Sequence, residues 1–435
     1  MSLPNAIEQP EPHMRAWKFV LRATSAQEAL LRRFSGQARW VWNHALAEHH
    51  ARDVRKEPHA NYNAMALWLT AWRTAPETVW LAQSPVHAQQ QVLKRLDAAF
   101  QRYFAPVKAR RKLGYPRFKK YGDDPGLRFP VAPLLDQANG RLKLPKLGWV
   151  RLRQSQAVAG EIRNATVRRD AGKWTVAIQT RHAGVLPAGG LSPSLGIDVG
   201  IATFAADSSG RMVEPLNALK AQAVRLRRYQ RSVSRKVKGS CNRKKAVIKL
   251  RALHKMIANQ RSDWLHKLTT GLAREHAVIA IEDLRVANMS ASAKGAVEHP
   301  GAKVRQKAGL NKAILDQGWS EFARQLAYKL ESNGGALVKV SPAYTSQTCS
   351  CCGHVDKLNR KTQASFVCVV CGHAEHADTN AAKNILAAGH AVWTAMSDAC
   401  GGDGSGLVRK RKARPAAVKQ ELTEAIVPAQ QAEHA

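Results

Sequence analysis

The sequence predicts an α/β protein: a mixed sheet with helices on its faces, a small antiparallel barrel carrying a helical insertion, and a metal-bound ribbon. Three observations predict it. Short segments after Tyr115 alternate apolar with polar at period two, and from Leu195 onward strands come first and then alternate with helices. Two Cys-x-x-Cys knuckles, Cys349-Ser-Cys-Cys352 and Cys368-Val-Val-Cys371, are separated by fifteen residues. At 435 residues the chain exceeds what one core usually sustains, so two or three packed units are expected.

In chain order, Arg15 to Arg22 reads as a strand through its alternation around Trp17, Phe19 and Leu21. Ser25-Ala-Gln-Glu28 reads as a capping box for a helix with Leu30, Leu31, Phe34, Ala38, Val41, Trp42 and Ala45 on one face. A second helix holds Ala64, Leu67 and Trp68, and a third begins at Ser84-Pro85 and carries Val92, Leu96, Phe100 and Tyr103. Arg141 to Leu144, Trp149 to Leu152, Ala165 to Val167 and Lys173 to Ile178 read as barrel strands, which the Trp17 strand would join. Leu195 to Ile201 is a buried strand, and Thr203 to Ala206 returns beside it before the turn Asp207-Ser-Ser-Gly210. Two long basic helical segments follow. Ala277 to Ile281 is a strand ending at Glu282, Ala313 to Ser332 a helix with Leu315, Trp319, Phe322, Leu326 and Leu330 inward, and Ala336 to Val340 another strand. Roughly the last forty residues read as disordered.

The formal net charge of +36, from 68 Lys and Arg against 32 Asp and Glu, points to a polyanionic partner. Fifteen Lys and Arg and no acid lie between Pro215 and Ser262, including Arg227, Arg228, Arg231, Arg235, Lys236, Arg243, Lys244 and Lys245. A second patch, Arg102 to Lys120, interleaves cations with Tyr103, Phe104, Tyr115 and Phe118 beside Arg117 and Lys119, where rings suit either base stacking or core packing. Apolar stretches stop well short of the roughly 18 residues a spanning helix needs, and the polar, acidic start does not read as a secretory signal. The remaining Cys241, Cys351 and Cys400 form no disulfide framework, so the expectation is a cytoplasmic protein without membrane contact, nucleoid-associated when on DNA.

The two knuckles can place Cys349, Cys352, Cys368 and Cys371 tetrahedrally around one structural Zn²⁺, and both halves repeat as Cys-x-x-Cys-Gly-His. Cys351, His354 and His373 stand close enough in sequence to replace a ligand. A dithiol redox pair is the alternative, but it requires only one Cys-x-x-Cys.

Asp198 interrupts an apolar strand, Glu282 ends another, and Asp378 opens the helical run before Ile385. Each acid is costly to bury unless it is paired or metal-bound. Gathered together, the three would repel one another unless divalent cations lay between them, as in a pair of Mg²⁺ ions roughly 4 Å apart that supports phosphodiester hydrolysis.

Gly196-Ile-Asp198-Val-Gly200, Ile281-Glu282-Asp-Leu284, the double Cys-x-x-Cys and Asp378-x-Asn-Ala-Ala-x-Asn-Ile385 resemble the three RuvC motifs and inserted zinc ribbon of TnpB, the OrfB proteins of bacterial insertion sequences. Those are similar to type V CRISPR effector nucleases. Trp17-Lys-Phe19, Ala38-Arg-Trp40-Val-Trp-Asn43, Gly114-Tyr-Pro-Arg-Phe118, Leu144-Pro-Lys-Leu-Gly148 and Asn311-Lys-Ala-Ile-Leu-Asp-Gln-Gly-Trp319 extend the resemblance over most of the chain.

The resemblance implies a transposon-encoded RNA-guided DNA endonuclease with an RNase H-like RuvC domain. Asp198, Glu282 and Asp378 would hold two catalytic Mg²⁺ ions, and no small-molecule cofactor is expected. Residues 14–24 and 126–190 would form the wedge barrel, 25–125 the helical recognition region, 191–344 and 376–395 the nuclease domain, and 345–375 the ribbon, with tails at 1–13 and 396–435. The partners would be a guide RNA and double-stranded DNA selected by base pairing next to a short motif. His376 departs from the pattern, since many relatives carry an acid there. The competing readings are a guided DNA-binding repressor without cleavage and a transposition accessory protein. The sequence offers no His-hydrophobic-His plus Tyr constellation for direct single-strand transposition.

Overall fold

Two sheets organise the chain, each because its strands carry apolar side chains at period two or in continuous runs. The computed structural model describes residues 12–105, 114–123, 125–183, 193–296 and 298–398, with side chains through 395. The terminal segments 1–11 and 399–435, including Cys400, and the centre of the second basic patch, 106–113, lie outside the described residues.

Strand β1 (His13–Arg22) buries Trp17, Phe19 and Leu21 on alternate positions, as the sequence predicts. Helix α1 (Ser25–Val54) follows. Its cap is Thr24 rather than Ser25: the Thr24 hydroxyl accepts from Gln27 N while the Gln27 side chain accepts from Thr24 N, so the box lies one residue earlier than expected. Helix α2 (Tyr62–Thr74), the expected second helix, turns inward through Met65 and Leu69 and leaves Leu67 73% exposed. Helix α3 (Val86–Phe104) buries Val92, Leu93, Leu96 and Phe100, with Tyr103 partly exposed.

The short strands β2 (Leu127–Phe129), β3 (Leu135–Asp136), β4 (Arg141–Leu144) and β5 (Gly148–Arg153) precede two long ones, β6 (Glu161–Asp170) and β7 (Lys173–His182). Together with β1 they form one antiparallel seven-stranded sheet in the order β2-β6-β7-β1-β5-β4-β3. The Trp17 strand is therefore central, and the three helices enter between β1 and β2. Among the described residues β2 and β3 stand at the two ends of this strand order. Helices and sheet share one hydrophobic core, from Phe34, Val41 and Leu93 to Phe129, Val167 and Val176. The helical segment is packed into the sheet unit and is not a separate body.

The second sheet comprises β8 (Ser194–Val199), β9 (Ala205–Asp207), β10 (Met212–Val213), β11 (Val278–Glu282) and β12 (Ala336–Val340), in the order β10-β9-β8-β11-β12. The first three strands pair antiparallel, and β8, β11 and β12 pair parallel. Between β10 and β11 run α4 (Ala218–Ala221) and the basic helices α5 (Ala223–Ser234) and α6 (Cys241–Glu275), which meet through Leu226, Leu253 and Ile257.

Between β11 and β12 come α7 (Val286–Met289), α8 (Val304–Gln317) and α9 (Trp319–Ser332). The single helix expected from Ala313 to Ser332 is broken at Gly318, whose φ of 77° lies in the left-handed region that glycine tolerates. Leu315 ends up 54% exposed, while Trp319, Phe322, Leu326 and Leu330 pack on the sheet with Leu265 and Ile279.

The ribbon hairpin β13 (Ser365–Val367) and β14 (Ala374–His376) leads into α10 (Ala377–Asp398), which covers the other sheet face through Ile385 against Val278, Ala280 and Val338. The hairpin runs one residue past the expected ribbon end, and α10 passes the expected boundary at 395. No helix among the described residues is long and apolar enough to cross a membrane.

Candidate active site and cysteine cluster

Parallel pairing of β8 with β11 aligns Ile197 with Ile281, so Asp198 and Glu282 follow at neighbouring strand ends. Asp378 arrives from the opposite direction, in the first turn of α10, where the helix N-terminus favours a carboxylate. His376 Nδ1 accepts from Asp378 N at 3.3 Å, so the residue that departs from the family pattern caps the start of this helix. Gly196 permits the approach: a Cβ there would overlap the carbonyl oxygen of Ala382 and stand 2.8 Å from Leu386 N.

Asp198, Glu282 and Asp378 line one cleft of about 290 Å³, together with Thr345, Arg360 and Gln363. The side chains are half-buried. Burial, then the charges of Glu282 and Asp378, push Asp198 up to about 7, with Arg360 opposing. Burial also raises Glu282, against a hydrogen bond donated by Thr345 Oγ1 to its Oε1 at 2.6 Å. Arg360 Nη2 lies 3.2 Å from Asp378 Oδ1. The donor set is three hard carboxylates under mutual repulsion, the chemistry that a divalent cation such as Mg²⁺ satisfies.

No pattern in the sequence points to Thr345 or Arg360, whereas the spacing of four between Asn380 and Asn384 puts both on one helical face. Asn380 accepts from Ser350 N at 2.9 Å and donates to Thr348 O at 2.8 Å, while Asn384 donates to Thr345 O and Thr348 O. These amides dock the ribbon onto α10.

Cys349, Cys352, Cys368 and Cys371 converge, with every Sγ within 4.8 Å of the others. Among the described residues this is the one such group of His, Cys, Asp or Glu; the three carboxylates stand further apart. The 3.7 Å from Cys349 to Cys371 and 3.6 Å from Cys352 to Cys368 match the roughly 3.8 Å edge of a tetrahedron with bonds of about 2.3 Å, so the cluster could hold zinc. Backbone N–H groups, first of Cys371 and then of Val370, lower the Cys368 thiol, whereas the crowded neighbouring sulfurs raise Cys352 and Cys371. Cys351 is exposed and outside the cluster. His354 and His373 turn instead to Asp356 and Glu375.

The basic residues remain largely at the surface. Arg227, Arg228, Arg231, Arg235, Lys244 and Lys245 are exposed, with Lys236 and Arg243 half-buried. In the second patch Arg117 is exposed and Phe118 is 50% exposed. Tyr115 instead donates to Asp53 at 2.9 Å, and Lys119 lies over the Trp42 ring at 4.6 Å, so these two also serve packing.

Three family models match the chain: "Cas12f1-like, TNB domain" over residues 319–385, "Probable transposase" over 192–293, and "Helix-turn-helix domain" over 14–52. The last span is here one strand and one thirty-residue helix. InsQ of Escherichia coli (strain K12), whose name describes an RNA-guided DNA endonuclease, is 46% identical over 95% of this chain and 98% of its own length. A Streptomyces pristinaespiralis protein of similar name is 32% identical over 89% of this chain and 91% of its own. The CRISPR-associated endodeoxyribonuclease Cas12f1 of Sulfoacidibacillus thermotolerans matches 16% of this chain and 17% of its own length at 45% identity. A solved Cas12f1–sgRNA–target DNA complex aligns over 86% of this chain and 99% of its own at 17% identity, with a TM-score of 0.32. Near-complete coverage by sequence relatives carries the conclusion: the chain belongs to the TnpB family, the OrfB proteins of insertion sequences.

Proposed function

We propose that this protein is an RNA-guided DNA endonuclease that hydrolyses phosphodiester bonds at the cleft of Asp198, Glu282 and Asp378. The observation that carries the reading is the convergence of three acids, from β8, β11 and α10, in one cleft where their charges oppose one another. The described activities of InsQ and Cas12f1 support it. In this reading the five-stranded sheet with α10 is an RNase H-like RuvC domain, and the ribbon is its insertion. The seven-stranded sheet is the wedge, and α1 to α3 are the recognition region.

The three carboxylates would hold two Mg²⁺ ions, which supply Lewis acidity at the scissile phosphate and an activated water. Thr345 fixes the Glu282 carboxylate, and Arg360 fixes Asp378. The four cysteines would hold one structural Zn²⁺, which would keep the ribbon, and with it Arg360, in position. The exposed cations of α5 and α6 meet phosphates, while base pairing with the guide RNA selects the double-stranded DNA target. A guided repressor would need none of these acids, so their presence favours cleavage.

The test is to sequence RNA that copurifies with the chain, then incubate the complex with a matched DNA target and Mg²⁺. Wild type cuts. Asp198→Ala retains RNA and leaves the target intact, and equal cutting by this variant would remove the assignment.

A further inference from the structure

An open cavity lined by residues of the helical unit and by Phe118 lies far from the acids in sequence. It has a volume of about 650 Å³, within the roughly 300–1,000 Å³ typical of ligand pockets. Helical spacing places Gln37, Trp40 and His44 of α1 along its wall. The Trp40 and His44 rings stack at 4.3 Å, and Trp80 meets Trp40 edge-on at 5.4 Å, so aromatic surface lines the interior. Phe118 stands half-exposed, and the lining residues include Arg39 but no carboxylate.

Gln37 gives this pocket a polar demand. It is only 2% exposed, and its Nε2 donates to Trp80 O at 2.8 Å, which fixes the amide orientation. Its Oε1 then has no hydrogen-bond partner among the described residues. A buried acceptor left this way is costly until a water or a ligand donates a hydrogen bond to it.

We propose that this cavity holds one unpaired nucleobase of the bound RNA, stacked on the aromatic wall with a base N–H donated to Gln37 Oε1 and its phosphate beside Arg39. A base combines a flat π-face with an N–H edge, and the attached phosphate suits a cationic, acid-free mouth. The inference rests on the reading of the chain as RNA-guided: a folded guide offers unpaired bases before any DNA is bound, whereas the displaced DNA strand offers them only once the target has opened.

The experiment irradiates the full-length protein with its copurified RNA under short-wave ultraviolet light, digests both and locates nucleotide adducts by mass spectrometry. Adducts are expected on Trp40, His44 or Phe118. Gln37→Met should reduce their yield about fivefold at unchanged RNA per protein, the loss expected for one hydrogen bond. Phe118→Ala, an exposed position, should lower it without disturbing the core. Adducts confined to α5 and α6, or yields unchanged in both variants, would overturn the pocket while leaving RNA guidance intact. Absence of copurifying RNA would overturn both.

Discussion

Arg360 Nη2 lies 3.2 Å from Asp378 Oδ1, and the pair joins the cysteine ribbon to the acidic cleft. Arg360 follows a short 3₁₀ turn, Lys357–Asn359, between the two knuckles. Asn380 and Asn384 grip the first knuckle and its approach from the other side. The ribbon is thus mechanically coupled to the cleft, although none of its cysteines lines it.

Arg360→Gln should lower cleavage about tenfold, the scale for losing a partner that orients a metal-binding carboxylate. RNA retained per chain should not change. Single-turnover cleavage of a matched target at saturating Mg²⁺ measures it, and a wild-type rate would deny Arg360 a positioning role.

Cys352→Ser should reduce zinc below one ion per chain and slow cleavage, because a loosened ribbon no longer delivers Arg360 to Asp378. Elemental analysis and cleavage on the same preparations check this. Full activity with no zinc bound would contradict it.

The metal-free protein should carry a pH signature from Asp198. Its folded pKa of about 7 exceeds the ordinary aspartate value of 3.8, so the folded state binds the extra proton. That contribution to stability is complete below about pH 4, declines as pH rises, and is gone above about pH 7. Asp198→Asn should flatten this part of the curve. Thermal unfolding across that range in Mg²⁺-free buffer without chelator is the measurement, and identical slopes would refute it.

Gly196→Ala should destabilise the protein by about 1–3 kcal/mol, the usual cost of overpacking, since its Cβ would meet the backbone of α10. Denaturant unfolding measures the loss. Because α10 carries Asp378, cleavage should fall even where the variant remains folded.

Much of the architecture could be read locally. Period-two alternation marked β1, β4, β5 and β7, and the continuous apolar run Val278 to Ile281 marked a buried strand. Helix limits were less legible, because Gly318 breaks a pattern that looks unbroken when only Leu315 and Trp319 are counted. Thr345 and Arg360 carried no signal: each is one polar residue among several in an irregular segment, and its partner is 63 or 18 positions away.

The sequence by itself determined the candidate ligand groups of this protein: four thiols at knuckle spacing, three acids at element ends, and an excess of cations. Each is a matter of residue type and short-range spacing, which chain connectivity preserves. Tertiary structure alone decided that β8, β11 and α10 meet at one cleft, that Arg360 and Thr345 stand over two of its acids, and that Gln37 keeps an unpaired oxygen beside an aromatic wall. Those relations depend on side-chain directions across packed elements, fixed by parallel register and by the close approach that Gly196 allows.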